Sequence, residues 1–136
     1  MTNLAKAVCI LITNPDTGQI LVVSRKDDPD SFGLPGGKVD TNETPEDAIC
    51  RETREETGLA VKPEDLTLVF EEVCLRHAPE GTDYYAYGFV ASCYDGEIFT
   101  QEKGVVRWGS WEDLAQGAFA VYNKGFHQAV LEWQNN

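Results

Sequence analysis

The segment GLPGGKVDTNETPEDAICRETREETGLA, residues 33–60, constrains this chain more than any other. It opens in a loop whose Gly36 and Gly37 permit positive φ and close backbone approach. It then enters a helix whose two ends are written in the sequence. Thr44 can act as N-cap, Pro45 suits a first position whose N–H would be unpaired anyway, and Asp47 completes a T-x-x-D capping pattern. Glu46 and Asp47 lie where the helix dipole favours negative charge. Gly58 is a stop, so a helix is expected over 45–57.

On a helix advancing about 100° per residue, Glu52, Glu55 and Glu56 fall within an arc of roughly 100°. The adjacent arc carries Ile49, Cys50, Thr53 and Thr57 and is the expected packing face. The carboxylates therefore border the buried stripe, while Asp47 and Arg54 project into water. Such crowding is costly unless something positive offsets it. Arg51, one turn before Glu55, can pair with that carboxylate and fix its rotamer. Oxygen-only ligands favour Mg²⁺, with Mn²⁺ or Ca²⁺ as substitutes, over zinc or copper. Taken alone, E-x-x-E-E is a solvated charged face and Pro-Gly-Gly is a turn. Coupled at this spacing, they suit a cation held by the helix, with a carbonyl from the Gly36–Gly37 loop as a further ligand.

The remaining elements follow from hydrophobic periodicity. AKAVCILIT (5–13) and QILVVSR (19–25) read as strands, and the NPDTG turn between them predicts a hairpin. Residues 26–43 read as loop. Strands are expected at 66–77, 83–94 and 105–110, one helical turn at WEDLAQG, and a C-terminal helix with Phe126, Val130 and Trp133 on one stripe. Strands and helices mix without regular βαβ alternation, which predicts a mixed sheet flanked by helices.

The 136 residues suffice for one domain with a real core. The four cysteines are scattered and form no C-x-x-C pattern, against structural zinc or a disulfide framework. No membrane-spanning segment or signal-peptide layout is visible, so a cytoplasmic protein is expected. A net charge of −12 disfavours a nucleic-acid polymer as partner but permits a small phosphorylated substrate when cations mediate the contact. No membrane partner is expected, and the chain is a monomer or a homodimer.

From Gly37 to Leu59 the chain reads G-x5-E-x7-R-E-x-x-E-E-x-G-L, which resembles the Nudix box of the Nudix hydrolases. Gly37, Glu43, Arg51, Glu52, Glu55, Glu56, Gly58 and Leu59 all match the family pattern. Thr53 departs from it, standing where an aliphatic residue is usual; helix packing should weaken slightly, with no ligand lost. The resemblance implies an α/β fold, the Nudix α/β/α sandwich around a mixed β-sheet, in a single domain over 1–136. It also implies Mg²⁺-dependent hydrolysis of a nucleoside diphosphate linked to another moiety. Carried over by position, Glu52, Glu55 and Glu56 would be metal ligands and Gly37 would offer its carbonyl. Arg51 would orient a catalytic glutamate, Glu55 and Glu56 being the candidates, and Glu43 would brace the loop–helix junction.

Outside the box, Glu102 precedes Trp108 in EKGVVRWGSWEDL, a pattern similar to one in which a Nudix loop glutamate is a further metal ligand or the general base; an ordinary surface glutamate is the alternative. Arg25 could contact substrate phosphate by a charge-assisted bidentate bond, or simply end its strand in water. Lys38 is a weaker phosphate candidate. Phe32 could stack on a base or pack beneath the loop, and Tyr85, on one side of its strand with Tyr87, could line a cleft or pack on the sheet. Trp108 and Trp111 are expected in the core, and His77 and His127 receive no role. The markers that some Nudix groups carry beyond the box, a proline for ADP-ribose and a tyrosine for dinucleoside polyphosphates, are missing where Cys74, Leu75, Arg76 and His77 stand. By elimination a nucleoside triphosphate or modified (d)NTP is the expected substrate. The alternatives are ADP-ribose or another nucleotide-sugar or dinucleotide, and a non-catalytic nucleotide-binding Nudix domain, although the intact glutamates speak for an enzyme.

Overall fold

The computed structural model describes residues 4–24, 28, 30–74, 83–99, 104–115 and 119–135. Strand β1 (Ala5–Leu11) is apolar along most of its length because it is buried on both faces. It pairs antiparallel with β4 (Gly36–Lys38) and parallel with β6 (Tyr84–Ala91), and β6 pairs antiparallel with β5 (Leu66–Cys74). The resulting mixed sheet has the order β4-β1-β6-β5. A second, antiparallel sheet, β3-β2-β7, is built from β2 (Ile20–Ser24), β3 (Phe32–Gly33) and β7 (Val106–Gly109).

The expected hairpin between β1 and β2 is present only at its tip. Asn14 closes the turn, its side chain accepting from the Asp16 N–H at 2.8 Å and its N–H donating to the Gln19 carbonyl at 2.8 Å. A Thr13–Ile20 bridge and the Leu21 N–H to Ile12 carbonyl bond follow, and then the strands part into different sheets. The reason is the count of edges: both sides of β1 are taken by β4 and β6. The region 26–43, read as loop, holds β3 and β4. These are two and three residues long and rich in glycine, so backbone pairing rather than side-chain pattern recruits them.

Two helices cover opposite faces. Helix α1 (Pro45–Thr57) packs Ala48 and Ile49 against Val8 and Ile10 of β1, Leu21 of β2 and Phe89 of β6. Helix α2 (Ala120–Gln134) packs Tyr122, Phe126 and Val130 against Leu11, Ile20, Val22 and Ala86. Alternation along β1 sends Val8 and Ile10 to one helix and Ala7, Cys9 and Leu11 to the other, which makes the architecture α/β/α. Phe126 is fully buried between Gly88 of β6 and the Phe70 ring, 6.2 Å away and nearly parallel. Trp133 leaves the expected stripe: residues 131–135 of the last turn are all exposed. Trp108 and Trp111, expected in the core, are half-buried: Trp108 packs against the α1 side of the core and Trp111 against the α2 side.

Helix α1 has the ends its sequence specifies. The Thr44 hydroxyl accepts from the Asp47 N–H at 3.1 Å, and Gly58 adopts φ +80° with its N–H on the Arg54 carbonyl. Thr53 and Thr57 are fully buried. Each hydroxyl donates to the carbonyl four residues back at 2.6 Å, so the hydroxyl that Thr53 brings to an aliphatic position is satisfied.

Candidate active site

Arg51 is the hub of the acidic surface of α1. Its Nε–H and one Nη2–H fork onto the two oxygens of Glu43 at 2.7 and 3.0 Å. Nη1 donates to Glu52 at 2.9 Å and to Glu55 at 3.3 Å, and Nη2 also reaches the Lys38 carbonyl at 3.1 Å. A guanidinium carries five N–H donors, and all of Arg51's are thereby engaged. Asp40 adds a carboxylate at 3.4 Å. Glu43 also accepts from the Asp40 N–H at 2.9 Å, so it joins the loop to the helix. The Arg51 bonds first, and then the Asp40 N–H, hold the Glu43 carboxyl down at about 2. Reciprocally, Glu43 first and Glu52 next push the Arg51 guanidinium further toward its charged form.

The glycine loop meets the helix through backbone. Strand β4 presents the Gly36 N–H to a Glu56 oxygen at 2.8 Å. A Cβ on Gly37 would overlap the Glu52 carboxylate, so glycine leaves room for that carboxylate in the orientation Arg51 holds. Burial grades across the cluster, from Glu52, whose side chain is 17% exposed, to Glu55 at 50%. Arg51 and Gly36 hold these carboxylates individually; among the described residues no three acidic, His or Cys side chains converge into a finished cage. The donor set is entirely oxygen and the approach over Gly37 is open to a carboxylate, which suits a hard divalent cation.

The other expected residues are placed unevenly. Lys38 follows Gly37 in β4 and so faces the opposite side of the sheet, where its ammonium lies 5.9 Å from the centre of the Tyr84 ring. It is the Lys38 carbonyl, not the amine, that joins the cluster. Phe32 packs toward the α2 side beneath the Arg107 guanidinium, 4.3 Å above its ring, and Asp113 anchors that arginine at 3.2 and 3.3 Å. Tyr85 shares the Gly37 face, because Val8 lies opposite both Gly37 and Tyr87 and Tyr85 is two residues from Tyr87. Its hydroxyl bonds Glu71 at 3.3 Å, and desolvation followed by the Glu71 charge raises the phenol pKa. His127 stacks on Trp111 at 4.1 Å. Arg25, Glu102 and His77 lie outside the described residues. The Gly36 N–H and the Lys38 carbonyl were not foreseen; the only signal for them was the P-G-G turn itself.

A NUDIX domain model matches residues 3–133. A nudix hydrolase of Caenorhabditis elegans is 27% identical over 135 residues, 96% of this chain but 35% of that protein. The chain therefore spans about a third of that relative. The 8-oxo-dGTP diphosphatase of Haemophilus influenzae is 30% identical over 128 residues, 91% of this chain and 90% of that enzyme. Among solved structures, the MutT NUDIX hydrolase from Burkholderia pseudomallei is similar with a TM-score of 0.75 at 29% identity, covering 93% of this chain and 98% of that one.

Proposed function

This chain belongs to the NUDIX family, and from that premise we propose that it is a Mg²⁺-dependent pyrophosphohydrolase of a nucleoside triphosphate or modified (d)NTP. The observation that carries the proposal is Arg51 spanning Glu43, Glu52 and Glu55 while Glu52 and Glu56 meet the Gly36–Gly37 backbone. An acidic helix that was only a solvated face would have no use for a glycine cleared beneath one of its carboxylates. The similarity to an 8-oxo-dGTP diphosphatase over nearly its whole length favours the triphosphate class.

In this proposal Glu52, Glu55 and Glu56, with the Gly37 carbonyl, hold Mg²⁺, for which Mn²⁺ substitutes. When bound, the cation offsets the charge of the diphosphate, polarises a phosphoryl oxygen and acidifies water. Glu55 or Glu56 takes the proton of the attacking water. Arg51 sets the Glu55 rotamer through the 3.3 Å bond and keeps Glu52 turned toward Gly37. Glu102 remains a further ligand or base. For substrate binding, Tyr85 is retained on the Gly37 face and Arg25 as a phosphate contact; Lys38 and Phe32 carry less, being engaged by Tyr84 and Arg107.

The protein is expected to act as a monomer or homodimer on a small nucleotide in the cytoplasm. No helix among the described residues is long and apolar enough to cross a membrane. The test is a broad nucleotide panel at alkaline pH with Mg²⁺ or Mn²⁺ and product identification. Pyrophosphate or phosphate release is expected. Glu56→Gln should lower turnover roughly 100-fold or more with little change in melting temperature. Full activity in that variant, or no turnover across the panel, would reject the assignment.

A further inference from the structure

The last turn of α1, which carries Glu55 and Glu56, is held from two sides. On one side β4 binds Glu56 through the Gly36 N–H. On the other, residues 95–99 lie along the exit of the helix. The Phe99 N–H donates to the Thr57 carbonyl at 2.7 Å, and Ala60 and Asp95 exchange two backbone bonds at 2.9 Å. Carbonyls at a helix C-terminus lack intrahelical partners, so the Phe99 bond satisfies a group that the helix cannot.

Gly58 sits inside this contact. Its φ of +80° is an ordinary helix ending that asparagine also tolerates. The space around it is less forgiving. A Cβ there would stand 2.6 Å from the Phe99 carbonyl oxygen, 2.9 Å from its nitrogen and 3.0 Å from the Glu97 carbonyl oxygen. All three are backbone atoms, and none can rotate aside. The Phe99 side chain is 63% exposed, so segment 95–99 contributes backbone here rather than apolar burial from that ring.

We propose that this backbone clasp positions the cation-holding turn of α1, with Gly58 and the Phe99 N–H as its positioning elements. The inference rests on α1 being the cation helix. A turn anchored on one side only would let Glu55 and Glu56 drift from the Gly37 carbonyl, and small misplacements of ligands are costly.

The test uses the whole chain and MgCl₂ alone, read as the rise in melting temperature with MgCl₂ concentration, beside kcat and KM. Phe99→Pro removes the N–H, Phe99→Ala keeps it, and Gly58→Asn keeps the helix ending while obstructing the clasp. Phe99→Pro and Gly58→Asn should each need roughly ten-fold more MgCl₂ for the same rise above their own metal-free melting temperature, the scale on which outer-shell partners of a metal act. Both should lose kcat more than they raise KM, and Phe99→Ala should match the wild type. Val130→Ala, in the core on the other face, should lower the melting temperature without changing the MgCl₂ needed for a given rise. An unchanged MgCl₂ requirement for a given rise in both clasp variants, in a protein whose wild type responds to MgCl₂, would overturn the clasp alone. A wild type that MgCl₂ does not stabilise would overturn the cation helix and the clasp together. Should neither variant fold, amide exchange in the wild type decides: a Phe99 N–H exchanging at the rate of an open loop would reject the clasp.

Discussion

Arg51 has no spare donor, which makes its replacement by lysine a sharp experiment. An ammonium offers three donors from a point and cannot fork Glu43 while also reaching Glu52, Glu55 and the Lys38 carbonyl. Arg51→Lys should therefore cost roughly 10- to 100-fold in turnover with net charge unchanged, read by steady-state kinetics. Glu43 gives the same network a pH signature. Its carboxyl is lowered from the ordinary 4.5 to about 2, so the folded form binds that proton less readily than the unfolded form. The stabilisation it brings is complete above 4.5 and is lost as pH falls toward 2. Melting curves across that window should fall more steeply for the wild type than for Glu43→Gln; parallel curves would show that the pairing contributes nothing. Residue types at fixed spacing made Arg51, Glu52, Glu55, Glu56 and Gly37 legible in the sequence. Lys38, the weaker phosphate candidate, lies apart from them for a physical reason. Once residues 36–38 form a strand, alternation turns its side chain away from the face on which Gly37 meets Glu52.

Among the elements, α1 was readable to the residue because its ends are local chemistry: a hydroxyl cap, a proline and a left-handed glycine act within one turn. Partners of β1 were not readable, since which strand takes an open edge is decided by the packing of the whole sheet. Helix α2 lies between these cases. Its stripe foretold Phe126 and Val130, but where the helix runs out of cover for Trp133 depends on what lies beneath it. Two substitutions separate packing from capping. Gly88→Ala would set a Cβ 3.0–3.1 Å from three atoms of the Phe126 ring, and should cost about 1–3 kcal/mol, seen by denaturant unfolding, with the MgCl₂ needed for a given rise in melting temperature unchanged. Thr53→Val exchanges a satisfied hydroxyl for a methyl at a position with no exposure, trading one hydrogen bond against apolar burial. It should alter stability by no more than about 1 kcal/mol, which would place the departure from the family pattern in packing and outside catalysis.

For the molecule as a whole, the decisive feature is that both cores share strands. Val8 and Ile10 face α1, Leu11 faces α2, and β2 divides Leu21 from Ile20 and Val22 in the same way. Neither helix layer has a sheet of its own, so neither can melt while leaving the other intact, and a cation bound beside α1 must stabilise the α2 side equally. The tryptophans report this directly. Trp108 packs with the α1 core, Trp111 with the α2 core, and Trp133 is 41% exposed and can be replaced without opening either. A variant with Trp108→Phe and Trp133→Phe, and another with Trp111→Phe and Trp133→Phe, leave one fluorophore in each layer. In each variant the fluorescence transition should coincide with loss of the far-ultraviolet circular dichroism, and MgCl₂ should raise both by the same increment. A Trp111 signal that melted before the circular dichroism, or ignored MgCl₂ while the Trp108 signal responded, would mean that the shared strands do not couple the layers. The cation site would then stabilise only the half of the molecule that carries it.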